Sequence, residues 1–184
     1  MYILDANAII SPFHKGPLAA LSRAFKMKEP QMERHLKDWF SQGIKAGKLL
    51  ICKDVKDEVL GGNGKKGKGA PGYHFLKGLD GKYGLIQPKD DTMSNLADVG
   101  KFVRKNYTDQ YASDFLKQGK ADPILVALGR SYGYTLVTQE RHNIPVLPPN
   151  HSHVQGPVRL PYVALAFKVR CISLMATLVK NPSW

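Results

Sequence analysis

Cysteine is scarce in this chain: 184 residues contain two, Cys52 and Cys171. They are too few and too far apart for a metal knuckle or a disulfide framework. Each lies in an apolar run, where a small buried hydrophobe is expected. Long hydrophobic runs are missing as well. No window reaches the roughly 20 apolar residues that a bilayer-spanning helix needs. No basic segment precedes an apolar stretch at the N-terminus, so neither a membrane protein nor a cleaved leader is expected, and the cytosol is the expected location. The absence of internal repeats and of coiled-coil heptads sets aside solenoid and zipper architectures.

Acids are missing from one whole stretch: from Arg141 to Trp184 there are five basic residues and no Asp or Glu. That stretch is the extreme of a general imbalance, 27 Lys and Arg against 15 Asp and Glu, a net charge of +12 and a pI near 9.7. Such a field attracts polyanions, of which nucleic acid is the usual one. Charge alone does not name the partner, because basic surfaces also serve solubility or an acidic protein ligand. Otherwise the composition is ordinary. With 43% hydrophobic and 23% charged residues the chain reads as globular, and its length suits one domain over 1–184 with a sizeable core.

Apolar runs bounded by turn signals predict five strands, at 2–4, 49–52, 84–87, 134–137 and 170–173. Between them, Leu36, Phe40 and Ile44 recur at four-residue spacing in a stretch that stops at Gly47, predicting a helix over 32–47. Leu96, Val99 and Val103 predict another over 95–107, and an Asp-Pro pair opens a third over 122–134. Shorter helices are predicted at 160–167 and 174–180. Strands alternating with helices indicate an α/β fold with a mainly parallel sheet. Residues 61–72, rich in Gly and Lys, match no Walker spacing and read as a solvated connection. The proline-rich stretch 144–157 reads as a surface excursion, and its His151 and His153 lack partner ligands for a zinc site.

The first strand ends on a carboxylate. An unpaired buried charge is very costly, so Asp5, directly after Tyr2–Leu4, needs a partner. In parallel α/β sheets ligands bind at the carboxyl ends of strands, and three more acids are candidates for that edge. Glu58 lies one helical turn beyond the second strand, Asp122 opens the late helix, and Glu140 follows the fourth strand. Each has a plain structural alternative. Asp122 before Pro123 makes a good N-cap, Glu58 shares a helix start with Asp54 and Asp57 where the dipole favours acids, and Glu140 suits a surface loop. No Ser-His-Asp or Cys-His set is apparent.

The stretches "YILDANAII", "VKDEV", "ADPILVALG", "LVTQE" and "VRLPYVALAFKVRCIS", taken in this order and spacing, give the chain a further character. Over nearly its whole length it resembles the PIN-domain nucleases, in particular a PIN-like branch close to the toxins of bacterial toxin–antitoxin pairs. The resemblance implies a three-layer α/β/α fold with a mainly parallel five-stranded sheet in the order 3-2-1-4-5. That order would separate Cys52 from Cys171. Asp5, Glu58, Asp122 and Glu140 match the four acids, Glu58 rather than Asp57 because it stands three residues after Val55. Relatives often carry Asp where this chain has Glu140. Asn7 and Thr138 match polar positions beside the acids, and the loop at 144–157 is longer than the family pattern.

Two carboxylates about 4 Å apart repel by roughly 1 kcal/mol in water and roughly 4 at an effective dielectric of 20. A cluster of acids therefore calls for protons or a cation, and an all-oxygen donor set suits Mg²⁺ or Mn²⁺. The implied activity is metal-dependent hydrolysis of RNA phosphodiesters leaving a 5′-phosphate, without a covalent nucleophile. Lys65, Lys66, Lys68 and Arg141 are the candidate RNA contacts, set against an ordinary solvated surface for each lysine. A cognate antitoxin and a homodimer are the partners the family implies. Two alternatives stand beside this. A phosphotransferase of the haloacid dehalogenase type wants a second Asp two residues after the first, where this chain has Asn7. A catalytically silent PIN-like module that binds RNA or protein is the other.

Overall fold

The computed structural model describes residues 1–60, 84–141 and 152–183. Four strands there form one sheet: β1 (Tyr2–Leu4), β2 (Leu49–Leu50), β3 (Thr135–Thr138) and β4 (Cys171–Ser173), in the order β2-β1-β3-β4. Every pairing is parallel, with Tyr2 beside both Leu49 and Thr135, Leu4 beside Val137, and Val137 beside Ile172. Ile3 and Leu4 are both buried, as are Leu136, Val137 and Thr138. Consecutive rather than alternating burial is what a parallel sheet covered on both faces requires.

The strand expected at 84–87 is reduced to a single parallel bridge, so the described sheet has four strands and not five. Ile51 bridges Leu85 beyond the edge of β2, through Ile51 N–H to the Gly84 carbonyl at 2.7 Å and Ile86 N–H to the Ile51 carbonyl at 2.9 Å. The pairing cannot lengthen. Helix α4 (Lys53–Leu60) begins two residues after Ile51, and Pro88 has no N–H to donate. At Gly84, with φ of 76°, a Cβ would stand 2.5 Å from Ile44 Cγ2, so the approach to the neighbouring helix requires glycine.

The predicted helices appear, the one at 174–180 with the same ends and the others with ends shifted. The 32–47 stretch is α3 (Glu29–Lys45), which opens earlier, at Glu29, with Pro30 in its first turn. Its Leu36, Phe40 and Ile44 are buried. The later helices are α5 (Thr92–Asn106), α7 (Asp122–Tyr132), α8 (Leu160–Ala166) and α9 (Leu174–Lys180). Three more were not anticipated: α1 (Ala6–Ile10) and α2 (Lys15–Ala24), joined by a 3-10 turn at Ser11–Phe13, and α6 (Asp109–Phe115). Among the described residues no helix is long and apolar enough to cross a membrane. Both cysteines are free; Cys52 is buried and Cys171 only partly so. With β1 and β3 between β2 and β4, strands about 4.8 Å apart leave the two thiols well beyond bonding distance.

Helix α7 locates Asp122. It turns through Gly133 and Tyr134 into β3 and packs against that strand, so the two run antiparallel. The helix is 11 residues and the strand four, about 16 and 13 Å respectively. The first residue of the helix and the last of the strand therefore come to the same sheet edge. Gly129 allows the close packing: a Cβ there would lie 2.6 Å from Val169 Cγ1 and 3.3 Å from Leu136 Cδ2. On the outer side α5 packs on α7, pinned by Thr92 and Asn95, whose side chains both bond the Ser131 hydroxyl.

Candidate active site at the carboxyl ends of the central strands

Asp5 joins β1 to α1. Its N–H continues the ladder to the Val137 carbonyl at 3.0 Å, and its own carbonyl accepts from Ala8 N–H at 3.0 Å. The side chain is 3% exposed, and Oδ2 accepts the Thr138 hydroxyl at 2.7 Å. Burial pushes the Asp5 carboxyl up to about 6; the Thr138 hydroxyl opposes this, Glu140 and Glu58 add to it, and the backbone N–H of Asn7 lowers it slightly. The partner that the sequence demanded for Asp5 is therefore in part a threonine on the neighbouring strand.

Asp122 occupies the first turn of α7, where Ala121 is the N-cap residue and no side-chain cap bond forms. Capping thus does not explain Asp122. Burial comes first in pushing its carboxyl up to about 7, followed by the charges of Asp5, Glu140 and Glu58, with Lys120 pulling the other way. Glu58 is exposed on α4. In the same helix Asp57 is paired with Lys53 one turn back, whereas the charge of Glu58 reaches both buried aspartates. Glu140 N–H donates to Thr138 Oγ1 at 3.1 Å. Its carboxylate accepts the Leu160 N–H at 2.8 Å through Oε2 and faces Arg159 Nη1 at 3.9 Å through Oε1.

These four acids come from four separate segments and share one electrostatic neighbourhood. They are not drawn into a ligating cluster: among the described residues no three His, Cys, Asp or Glu side chains stand close enough together to hold a metal ion. Mutual repulsion among ionised carboxylates favours such spacing. The donor chemistry itself fits a hard divalent cation, since every candidate atom is a carboxylate oxygen and two of the carboxyls are held at raised proton affinity by their surroundings. A thiol nucleophile is not on offer. Burial pushes Cys171 up to about 12, with Asp5 and Glu140 adding, and pushes Cys52 up to about 11.

Beside the acids opens a groove of about 440 Å³ lined by Asn7, Ser11, Gln139, Glu140, Arg141 and Arg159. Arg141 and Asn7 were singled out in the sequence; Ser11, Gln139 and Arg159 were not. Only the acid-free run after Glu140 hinted at Arg159. Lys65, Lys66 and Lys68, the whole of 61–72, and residues 144–151 including His151 lie outside the described residues.

The class defined by this arrangement is an α/β protein with a parallel sheet and an acidic site at the carboxyl ends of its central strands. Over residues 2–183 the chain matches the family described as Domain of unknown function (DUF4411), and it belongs to that family. No curated protein matches it. No solved structure matches it either.

Proposed function

We propose that the protein is a PIN-like, Mg²⁺- or Mn²⁺-dependent endoribonuclease of the cytosol, acting as the toxin of a toxin–antitoxin pair. One arrangement carries this reading: Asp5 and Glu140 both bond Thr138 at the end of β3, and Asp122, at the start of the helix packed on that strand, lies within reach of their charges and that of Glu58. Support from the fold comes from the bridge at Leu85 on the outer side of β2, which occupies the place of the third strand in the order 3-2-1-4-5. Asp5, Glu58 and Asp122 would hold the cation, with Glu140 as the fourth acid. The ion supplies Lewis acidity toward water and toward the phosphoryl oxygen. Thr138 orients Asp5, Asn7 lines the approach to it, and Arg141 attracts the phosphate backbone that the acids alone would repel.

The test is cleavage of a long RNA by the purified protein with Mn²⁺ or Mg²⁺, beside Asp5→Asn and Asp122→Asn. Cleavage that needs the cation and falls by about 100-fold or more in each variant is the expected result. A second reading is a PIN-like module that binds RNA or a protein partner without cutting; its support is that no three acids among the described residues stand within ligating distance of one another. Binding without cleavage under either ion selects it.

A further inference from the structure

Glu140 is fixed at both its backbone and its side chain. Its N–H ties it to Thr138, while Oε2 accepts the backbone N–H of Leu160, 20 residues on, at 2.8 Å. A hydrogen bond from a backbone N–H to a carboxylate is among the stronger kinds in a protein, so this is the firm tie. The contact from Oε1 to Arg159 is of another kind. It spans 3.9 Å, and the Arg159 side chain is 51% exposed against 16% for Glu140. Such a half-exposed, solvent-screened pair is weak, too weak to keep a guanidinium from a better anion.

The groove that Arg159 lines supplies donors from several directions: guanidinium groups from Arg159 and Arg141, amides from Asn7 and Gln139, a hydroxyl from Ser11. Its one carboxylate, Glu140, is already engaged. A phosphodiester oxygen only accepts hydrogen bonds, and a guanidinium meets it with two parallel N–H groups.

We infer that Glu140 is a positioning residue that clips the start of α8 to the end of β3, and that Arg159, the residue just before that helix and set at the groove by this clip, seats a backbone phosphate of single-stranded RNA. The inference rests on the nuclease reading above, because it places the seated phosphate next to the bond to be cut. An incoming phosphate takes Arg159 away from Glu140 while the Leu160 bond stays, so the groove keeps its wall as the arginine turns to the strand. Asp5 and Asp122 are left as the buried acids for the cation, and Glu140 acts through Arg159.

Binding is measured apart from cutting, by fluorescence anisotropy of a labelled single-stranded RNA in EDTA over a range of salt. Arg159→Ala should weaken binding about tenfold at low salt and flatten the slope of log affinity against log salt by roughly 0.7, one phosphate contact. Arg159→Lys should recover part of the affinity. Arg130, about 12 Å along α7 from Asp122, provides the charge-matched control, and Arg130→Ala should change affinity less than twofold. Glu140→Gln keeps an acceptor for Leu160 and should bind within about twofold of the wild type, whereas Glu140→Ala should lose affinity although Arg159 is intact. Millimolar inorganic phosphate at matched ionic strength should not displace the strand.

The inference is overturned if the wild type does not bind, if Arg159→Ala weakens binding no more than Arg130→Ala, or if free phosphate competes the RNA away. Equal binding by Glu140→Ala and the wild type removes the clip. Cleavage under Mn²⁺ is scored separately. Arg159-dependent binding without cleavage sinks the nuclease and leaves the phosphate seat, and cleavage with binding indifferent to Arg159 does the reverse.

Discussion

Thr138 donates its hydroxyl proton to Asp5 Oδ2 at 2.7 Å, and by this bond the last residue of β3 holds the carboxylate that follows β1. The bond acts against burial, which pushes the Asp5 carboxyl up to about 6. Thr138→Val should therefore raise that proton affinity further and move the acidic limb of any metal-dependent activity to higher pH. Thr138→Ser, which keeps the hydroxyl, should leave it in place. At pH 8, where Asp5 is ionised, the valine variant should also lose about 1.5–3 kcal/mol of unfolding free energy, and less at pH 5. Denaturant unfolding at the two pH values checks this.

In EDTA, the two buried aspartates should make the protein more stable in mild acid than in mild base. Folded carboxyls at about 6 and about 7 compare with 3.8 for the same groups when exposed. Between pH 4 and 7 the native chain therefore binds more protons than the unfolded chain, and stability falls as pH rises. Each tenfold difference in proton affinity is worth about 1.4 kcal/mol, so the loss across the window amounts to a few kcal/mol. Melting in EDTA should show it, and Asp122→Asn should raise the melting temperature at pH 8. A wild type that melts higher at pH 8 than at pH 5 in EDTA contradicts the account.

Much of this fold was written in local pattern. The spacing of Leu36, Phe40 and Ile44 and the Asp-Pro pair at 122 reported their helices because each buries an apolar stripe or carries its own start signal. The strand at 84–87 shrank to a bridge because its length depends on the partner, and β2 turns into α4 too soon. The acids were legible as types at strand ends. Their company was not: Thr138 meets Asp5 across 133 residues and Leu160 meets Glu140 across 20. Arg159 escaped because nothing local separates a groove arginine from a solvated one. The helices at 6–24 escaped because short, proline-interrupted helices are set by packing more than by periodicity.

Packing at Gly129 offers a test of the fold that is independent of function. An alanine there gains about 1 kcal/mol of helix propensity but drives its Cβ to 2.6 Å from Val169 Cγ1, and a β-branched side chain yields little. Overpacking of this kind costs about 1–3 kcal/mol, so Gly129→Ala should be net destabilising by up to about 2 kcal/mol. Combining it with Val169→Ala should cost less than the sum of the two single changes. Additive losses would mean that α7 does not lie this close to Val169.

The central claim is that Asp5, Glu58 and Asp122 gather around a divalent cation. Its most direct test is calorimetric titration of Mn²⁺ into the wild type, Asp5→Asn, Glu58→Gln and Asp122→Asn at pH 8. The wild type should bind the ion saturably, with affinity at least about tenfold weaker in each variant, and the ion should raise melting in the wild type alone. Equal Mn²⁺ affinity in all four proteins, or none in the wild type, would contradict it.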